Sequence, residues 1–108
     1  MIFYIILEEG DLMYKLLIVE DDFIIAKGLQ KHFEKYHYDV QYIEDFEHVL
    51  DEFLEFQPDL VLLDIHLPFF DGYYWCQEIW KISQVPIVFI SSANENMNIV
   101  LAMNMGGD

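Results

Sequence analysis

Asp64 ends the apolar run Leu60-Val61-Leu62-Leu63, and Glu20-Asp21-Asp22 ends a similar run, Leu16-Leu17-Ile18-Val19. If both runs are buried strands, these carboxylates meet at one edge of a parallel sheet. Their mutual repulsion is costly unless a cation holds them, which points to a divalent metal site. Asp21 and Asp64 each offer a hard oxygen ligand suited to Mg²⁺, with Glu20 ordering a metal-bound water. One oxygen of Asp64 stays free as a nucleophile, and a carboxylate attacking phosphorus gives an aspartyl-phosphate. Such a transfer depends on in-line positioning and charge neutralisation. Ser91, after the run Ile87-Val88-Phe89-Ile90, is placed to donate its hydroxyl to a phosphoryl oxygen.

The elements that must position these groups alternate in type. Lys15 to Val19 is apolar without alternation, as in a strand buried on both faces. Apolar residues at 25, 29 and 33 predict a helix from Phe23 to about Tyr36, capped by Asp22. Val40 to Ile43 is a short strand. Phe46, Val49, Leu50, Phe53 and Leu54 mark a second helix that ends before Pro58. Leu60 to Leu63 is the third strand, and His66 to Gly72 reads as a loop. Tyr73 to about Ile82 is a helix with Tyr73, Cys76 and Ile79 or Trp80 inward. Pro86 opens a fourth strand, Ile87 to Ile90, followed by a predicted helix from about Asn94 to Met105 that Gly106-Gly107 breaks. This order predicts an α/β fold with a parallel sheet, helices on both faces and right-handed crossovers. Ligands of open sheets of this kind sit beyond the carboxyl ends of the strands, where Glu20, Asp21, Asp64 and Ser91 fall.

The 108 residues support one domain, and 55% hydrophobic content can fill its core. Twenty Asp and Glu against five Lys and Arg give a net charge of −15, which argues against direct nucleic-acid binding and favours basic, cationic or metal-loaded partners. The single Cys76 reads as a small buried hydrophobe in a reducing cytoplasm. No apolar run approaches the roughly 18 residues of a membrane span. Ile2 to Leu7 lacks the flanks of a signal peptide. The sequence suggests that residues 1–12 are a translated leader before a native start at Met13, the alternative being an edge strand from Ile2 to Leu7.

The ordered segments Leu16-Leu17-Ile18-Val19-Glu20-Asp21-Asp22, Pro58-Asp59-Leu60-Val61-Leu62-Leu63-Asp64, Leu67-Pro68, Asp71-Gly72 and Pro86-Ile87-Val88-Phe89-Ile90-Ser91 resemble the receiver domain of bacterial two-component response regulators. The resemblance runs from about Met13 to the end, with Gly106-Gly107-Asp108 leading toward the family's last strand. It is nearest to transcription regulators whose receiver precedes a winged-helix DNA-binding domain. It implies a flavodoxin-like (CheY-like) doubly wound parallel sheet of order 2-1-3-4(-5), in which Asp64 accepts a phosphoryl group from a sensor histidine kinase. It further implies that Asp21, Asp64 and the backbone carbonyl of His66 hold Mg²⁺, with Glu20 acting through water. Ser91 takes the place of the switch hydroxyl that repositions the fourth helix. Such a domain is a regulatory module of the cytoplasm, not an enzyme beyond self-phosphorylation and slow autodephosphorylation.

The family's fifth strand, its lysine and its fifth helix are missing from the 108 residues, so the reading is of a receiver, residues 13–108, that is C-terminally truncated. That leaves Ile87 to Ile90 an apolar edge and predicts a homodimer, a strand-exchanged oligomer or marginal stability. Blander roles suit other residues: Asp22 as a helix cap, Asp71 as a turn former, Pro68 shaping the loop, Ser92 structural, and His32, His37 and His48 facing solvent. Trp80 is an interaction patch or helix packing, and Phe69-Phe70 a partner-contacting surface or an ordinary loop. Two rivals remain. One is a phosphatase of the haloacid-dehalogenase type, which places a second Asp where His66 stands. The other is a degenerate receiver that binds partners without phosphorylation.

Overall fold

A computed structural model describes residues 13–91 and the backbone of residues 98–102. The elements are β1 (Lys15–Val19), α1 (Phe23–Glu34), β2 (Asp39–Tyr42), α2 (Val49–Phe56), β3 (Leu60–Asp64), α3 (Gly72–Trp80), β4 (Ile87–Ser91) and β5 (Asn98–Ala102). They build one sheet of order β2-β1-β3-β4-β5. The first four strands are parallel.

The continuous apolar runs make sense because alternate residues of each strand serve opposite faces. Leu17, Val19, Val61, Leu63, Ile87 and Phe89 pack on one face against Val49, Phe53 and Phe56 of α2 and Trp75, Cys76 and Ile79 of α3. Leu16, Ile18, Val40 and Leu62 pack on the other against Ala26, Leu29 and Phe33 of α1. Each fully buried Leu, Ile or Val contributes about 1.5–3 kcal/mol, so the sheet is held from both sides and its strand ends are rigid mounts. Asp22 caps α1 by accepting from the N–H groups of Ile24 (3.0 Å) and Ile25 (3.3 Å), and Asp71 caps α3 through Tyr74 N–H (2.9 Å). At the opposite end of the sheet, Lys15 N–H donates to Asp59 Oδ2 (2.8 Å) and Lys15 Nζ to the Phe56 carbonyl (3.2 Å).

Four expectations are corrected. Residues 98–102 are not part of a helix: they form β5, antiparallel to β4, with Ser91 opposite Asn98 and Ile87 opposite Ala102. The run Ile99-Val100-Leu101 suits a strand as well as a helix, and β4 offers it a ladder of unpaired backbone groups. The β4 edge is therefore covered by β5, not left open. On α3 Cys76 and Ile79 are buried as expected, but Trp75 joins them in the core and Tyr73 is 54% exposed. α2 starts at Val49, later than the pattern from Phe46 suggested. The preceding turn is tied down when Asp45 N–H donates to Glu52 Oε2 (2.8 Å). The expected leader, the rest of the span from Asn94 to Met105, Ser92 and Gly106-Gly107 lie outside the described residues. Among the described residues no helix is long and apolar enough to cross a membrane.

Candidate metal centre

β1 and β3 are neighbours in register, Val19 beside Leu63, so the residues that follow share one end of the sheet. Glu20, Asp21 and Asp64 each present a carboxylate oxygen there, all within 4.8 Å of one another. Asp64 closes β3 and is buried, Glu20 is buried, and Asp21 is exposed at the mouth. Glu20 Oε2 accepts from Asp22 N–H (3.0 Å), while Glu20 Oε1 is buried and has no hydrogen-bond partner among the described residues. Burial pushes the Glu20 carboxyl up to about 8; the Asp22 N–H pulls the other way, and the charges of Asp64 and Asp21 add to the rise. A buried oxygen without a partner, facing two further carboxylates, is what a hard divalent cation satisfies. The donor set therefore fits Mg²⁺.

Asp64 Oδ1 accepts from His66 N–H (3.2 Å), which restrains the carboxylate. The His66 residue is exposed. Ser91 is the last residue of β4 and half-buried; its strand pairs with β3, where Asp64 lies opposite Ile90. The loop from β3 to α3 returns to the acidic end, because Gly72 N–H donates to the Ile65 carbonyl (2.8 Å). A Cβ on Gly72 would sit 2.2 Å from the Asp64 carbonyl oxygen and 2.9 Å from Ile65 Cα. Only glycine lets α3 start so close to Asp64. The sequence marks this position only as an Asp-Gly turn, and the close approach becomes visible once the loop is folded.

Residues given bland readings keep bland roles. Asp22 caps α1 as expected, whereas Asp71, expected as a turn former, caps α3. Trp80 packs on the core and donates from Nε1 to the Val85 carbonyl (3.0 Å). Burial pushes the Cys76 thiol up to about 11, which makes it a hydrophobe and not a nucleophile. His32, His37 and His48 are exposed, and His48 pairs with Asp45 at 2.8 Å. A cavity of about 430 Å³ lined by Lys15, Asp39, Gln41, Glu52, Glu55 and Phe56 opens at the far end of the sheet, away from the three carboxylates.

Residues 16–108 match the family model described as the response regulator receiver domain. The chain is 52% identical over 96 residues to the transcriptional regulatory protein YvcP of Bacillus subtilis, covering 89% of this chain and 40% of that protein. It is 43% identical over 94 residues to the response regulator GraR of Staphylococcus aureus, covering 87% and 42%. Among solved structures it is similar to the N-terminal domain of the nisin resistance regulator NsrR (TM-score 0.69, 45% identity, 79% of this chain and 72% of that one). It is also similar to the receiver domain of Klebsiella pneumoniae RstA (TM-score 0.69, 32% identity, 76% and 70%). The chain thus spans about two-fifths of the length of the curated relatives it matches.

Proposed function

This chain belongs to the response regulator receiver domain family, and from that premise we propose that Asp64 is its phospho-acceptor, with Mg²⁺ held by Asp21, Asp64 and the His66 carbonyl and with Glu20 acting through water. The observation that carries the reading is the gathering of three carboxylates within 4.8 Å, one of them with a buried oxygen that has no hydrogen-bond partner among the described residues. Bound Mg²⁺ would neutralise that cluster and draw phosphoryl oxygens to it.

The chain's own residues do the rest. His66 N–H engages Asp64 Oδ1 and leaves Oδ2 for attack. In the transfer, an O–P bond forms at Asp64 as the P–N bond of a kinase phosphohistidine breaks, its electron pair returning to the imidazole. Ser91, on the neighbouring strand, donates its hydroxyl to a phosphoryl oxygen and passes the change to the chain beyond β4. The donor is a sensor histidine kinase, the setting the cytoplasm, and the output a DNA-binding domain that controls transcription, in keeping with the description of YvcP as a transcriptional regulatory protein.

Incubation with Mg²⁺ and acetyl phosphate followed by mass spectrometry tests this. One phosphoryl adduct is expected in the wild type and none in Asp64→Asn. Continuous phosphate release from many esters would mean a phosphatase. No adduct at all would mean a receiver that acts by binding alone.

A further inference from the structure

We infer that Asn98–Ala102 is a displaceable cover of β4: a strand while that edge is free, and part of a helix once a strand parallel to β4 takes the edge. Three of the four strand pairings in the sheet are parallel, and the pairing of β4 with β5 is antiparallel. It runs the whole length of β4, from Ile87 opposite Ala102 to Ser91 opposite Asn98. β4 needs such a cover, because Ile87, Phe89 and Ile90 are buried and an open apolar edge pairs with whatever strand it meets.

The cover is a poor strand by its own residues. Only Ile99-Val100-Leu101 favour extended backbone; Asn98 and Ala102, at its two ends, are residue types depleted in strands. The longer segment reads as a helix. Met97, Val100, Leu101 and Met105 recur at helical spacing, Asn94 suits the start, and Gly106-Gly107 suits the end. The strand is therefore imposed by the backbone groups of β4 against local preference, and it lasts as long as no better partner competes for them.

The helical form has a place of its own in this architecture. Two parallel neighbours need a crossover of about a dozen residues or more, usually a helix. Residues 92–105, as a helix, are that crossover for a strand parallel to β4. The two forms exclude each other, since one stretch of chain cannot both pair with β4 and bridge to the strand that does. The exchange also reaches the acidic end: Ser91 is the last pair of the β4–β5 ladder, and the neighbouring Ile90 lies opposite Asp64. Whichever strand holds the edge thus fixes the backbone at Ser91, a regulation of the switch position that rests on the reading of Ser91 given above.

Backbone ¹³C shifts and amide exchange of the whole chain, without Mg²⁺ or phosphodonor, test the cover whether or not Asp64 takes a phosphoryl group. Strand shifts are expected at residues 98–102. Ile99→Leu with Val100→Leu, which keeps the apolar character and removes the β-branching, should move those shifts toward helical values and speed exchange at Ile87–Ser91 severalfold. Asn98→Thr with Ala102→Val should slow that exchange severalfold. A chain lengthened beyond Asp108 by a strand of about five Thr and Val residues should show helical shifts at residues 98–102 and parallel cross-strand contacts from the added strand to β4. Three results would overturn the inference: helical or coil shifts at residues 98–102 in the unaltered chain, loss of strand shifts without gain of helical ones in the Leu variant, or strand shifts that persist in the lengthened chain.

Discussion

Replacing Glu20 with Gln separates the burial of a carboxyl from its use. In the folded chain Glu20 holds its proton up to about pH 8, against 4.5 for the free group. Between those values the unfolded chain has lost a proton that the folded chain keeps. Stability contributed by this group is therefore complete below pH 4.5, falls as pH rises, and levels off above about 8. The slope is about 1.4 kcal/mol per pH unit at most. Glu20→Gln cannot ionise, so without metal it should match the wild type near pH 4.5 and exceed it by a few kcal/mol at pH 8. Urea unfolding at four pH values, with EDTA, reads this directly. Added Mg²⁺ should narrow the gap. At a hundredfold excess over its Kd it raises wild-type stability by about 2.7 kcal/mol, and the variant, with a neutral oxygen at that position, gains much less. Parallel pH profiles for the two proteins, or equal gains from Mg²⁺, would refute the account of Glu20 as a buried carboxyl waiting for a cation.

Gly72→Ala should lose about 1–3 kcal/mol in urea unfolding and bind Mg²⁺ more weakly by titration, because the new methyl meets the Asp64 carbonyl at 2.2 Å. Asp22→Ala should cost about 1 kcal/mol of stability through loss of the α1 cap. It should leave Mg²⁺ binding intact, since Glu20 engages the Asp22 backbone and not its side chain. Gln57→Gly should raise stability by about 0.5–1 kcal/mol, measured as a higher urea midpoint with unchanged slope, because Gln57 ends α2 at φ 53°.

The strands were legible because burial on both faces leaves unbroken runs such as Leu60-Val61-Leu62-Leu63, and a carboxylate after such a run has few other addresses than the sheet edge. The pairing of β1 with β3 then brings Glu20, Asp21 and Asp64 together as their positions suggested. On α3 the inward Cys76 and Ile79 were legible, but Tyr73, Tyr74 and Trp75 are all aromatic and the local pattern does not say which ring goes inside. Asn98 to Ala102 was misread for a related reason: a short apolar run fits either period, and the backbone partner offered by β4 decides. The proton on Glu20 and the clearance at Gly72 depend on distances between segments far apart in sequence, which no local pattern carries.

The backbone clasp between Ile65 and Gly72 closes residues 66–71 into a small ring set on the end of β3. The clasp keeps β3 and α3 at a fixed spacing, while Phe69 inside the ring stands in solvent. A substitution at Phe69 should therefore leave the three carboxylates undisturbed, so that the surface of this loop and the geometry at the end of β3 can vary independently.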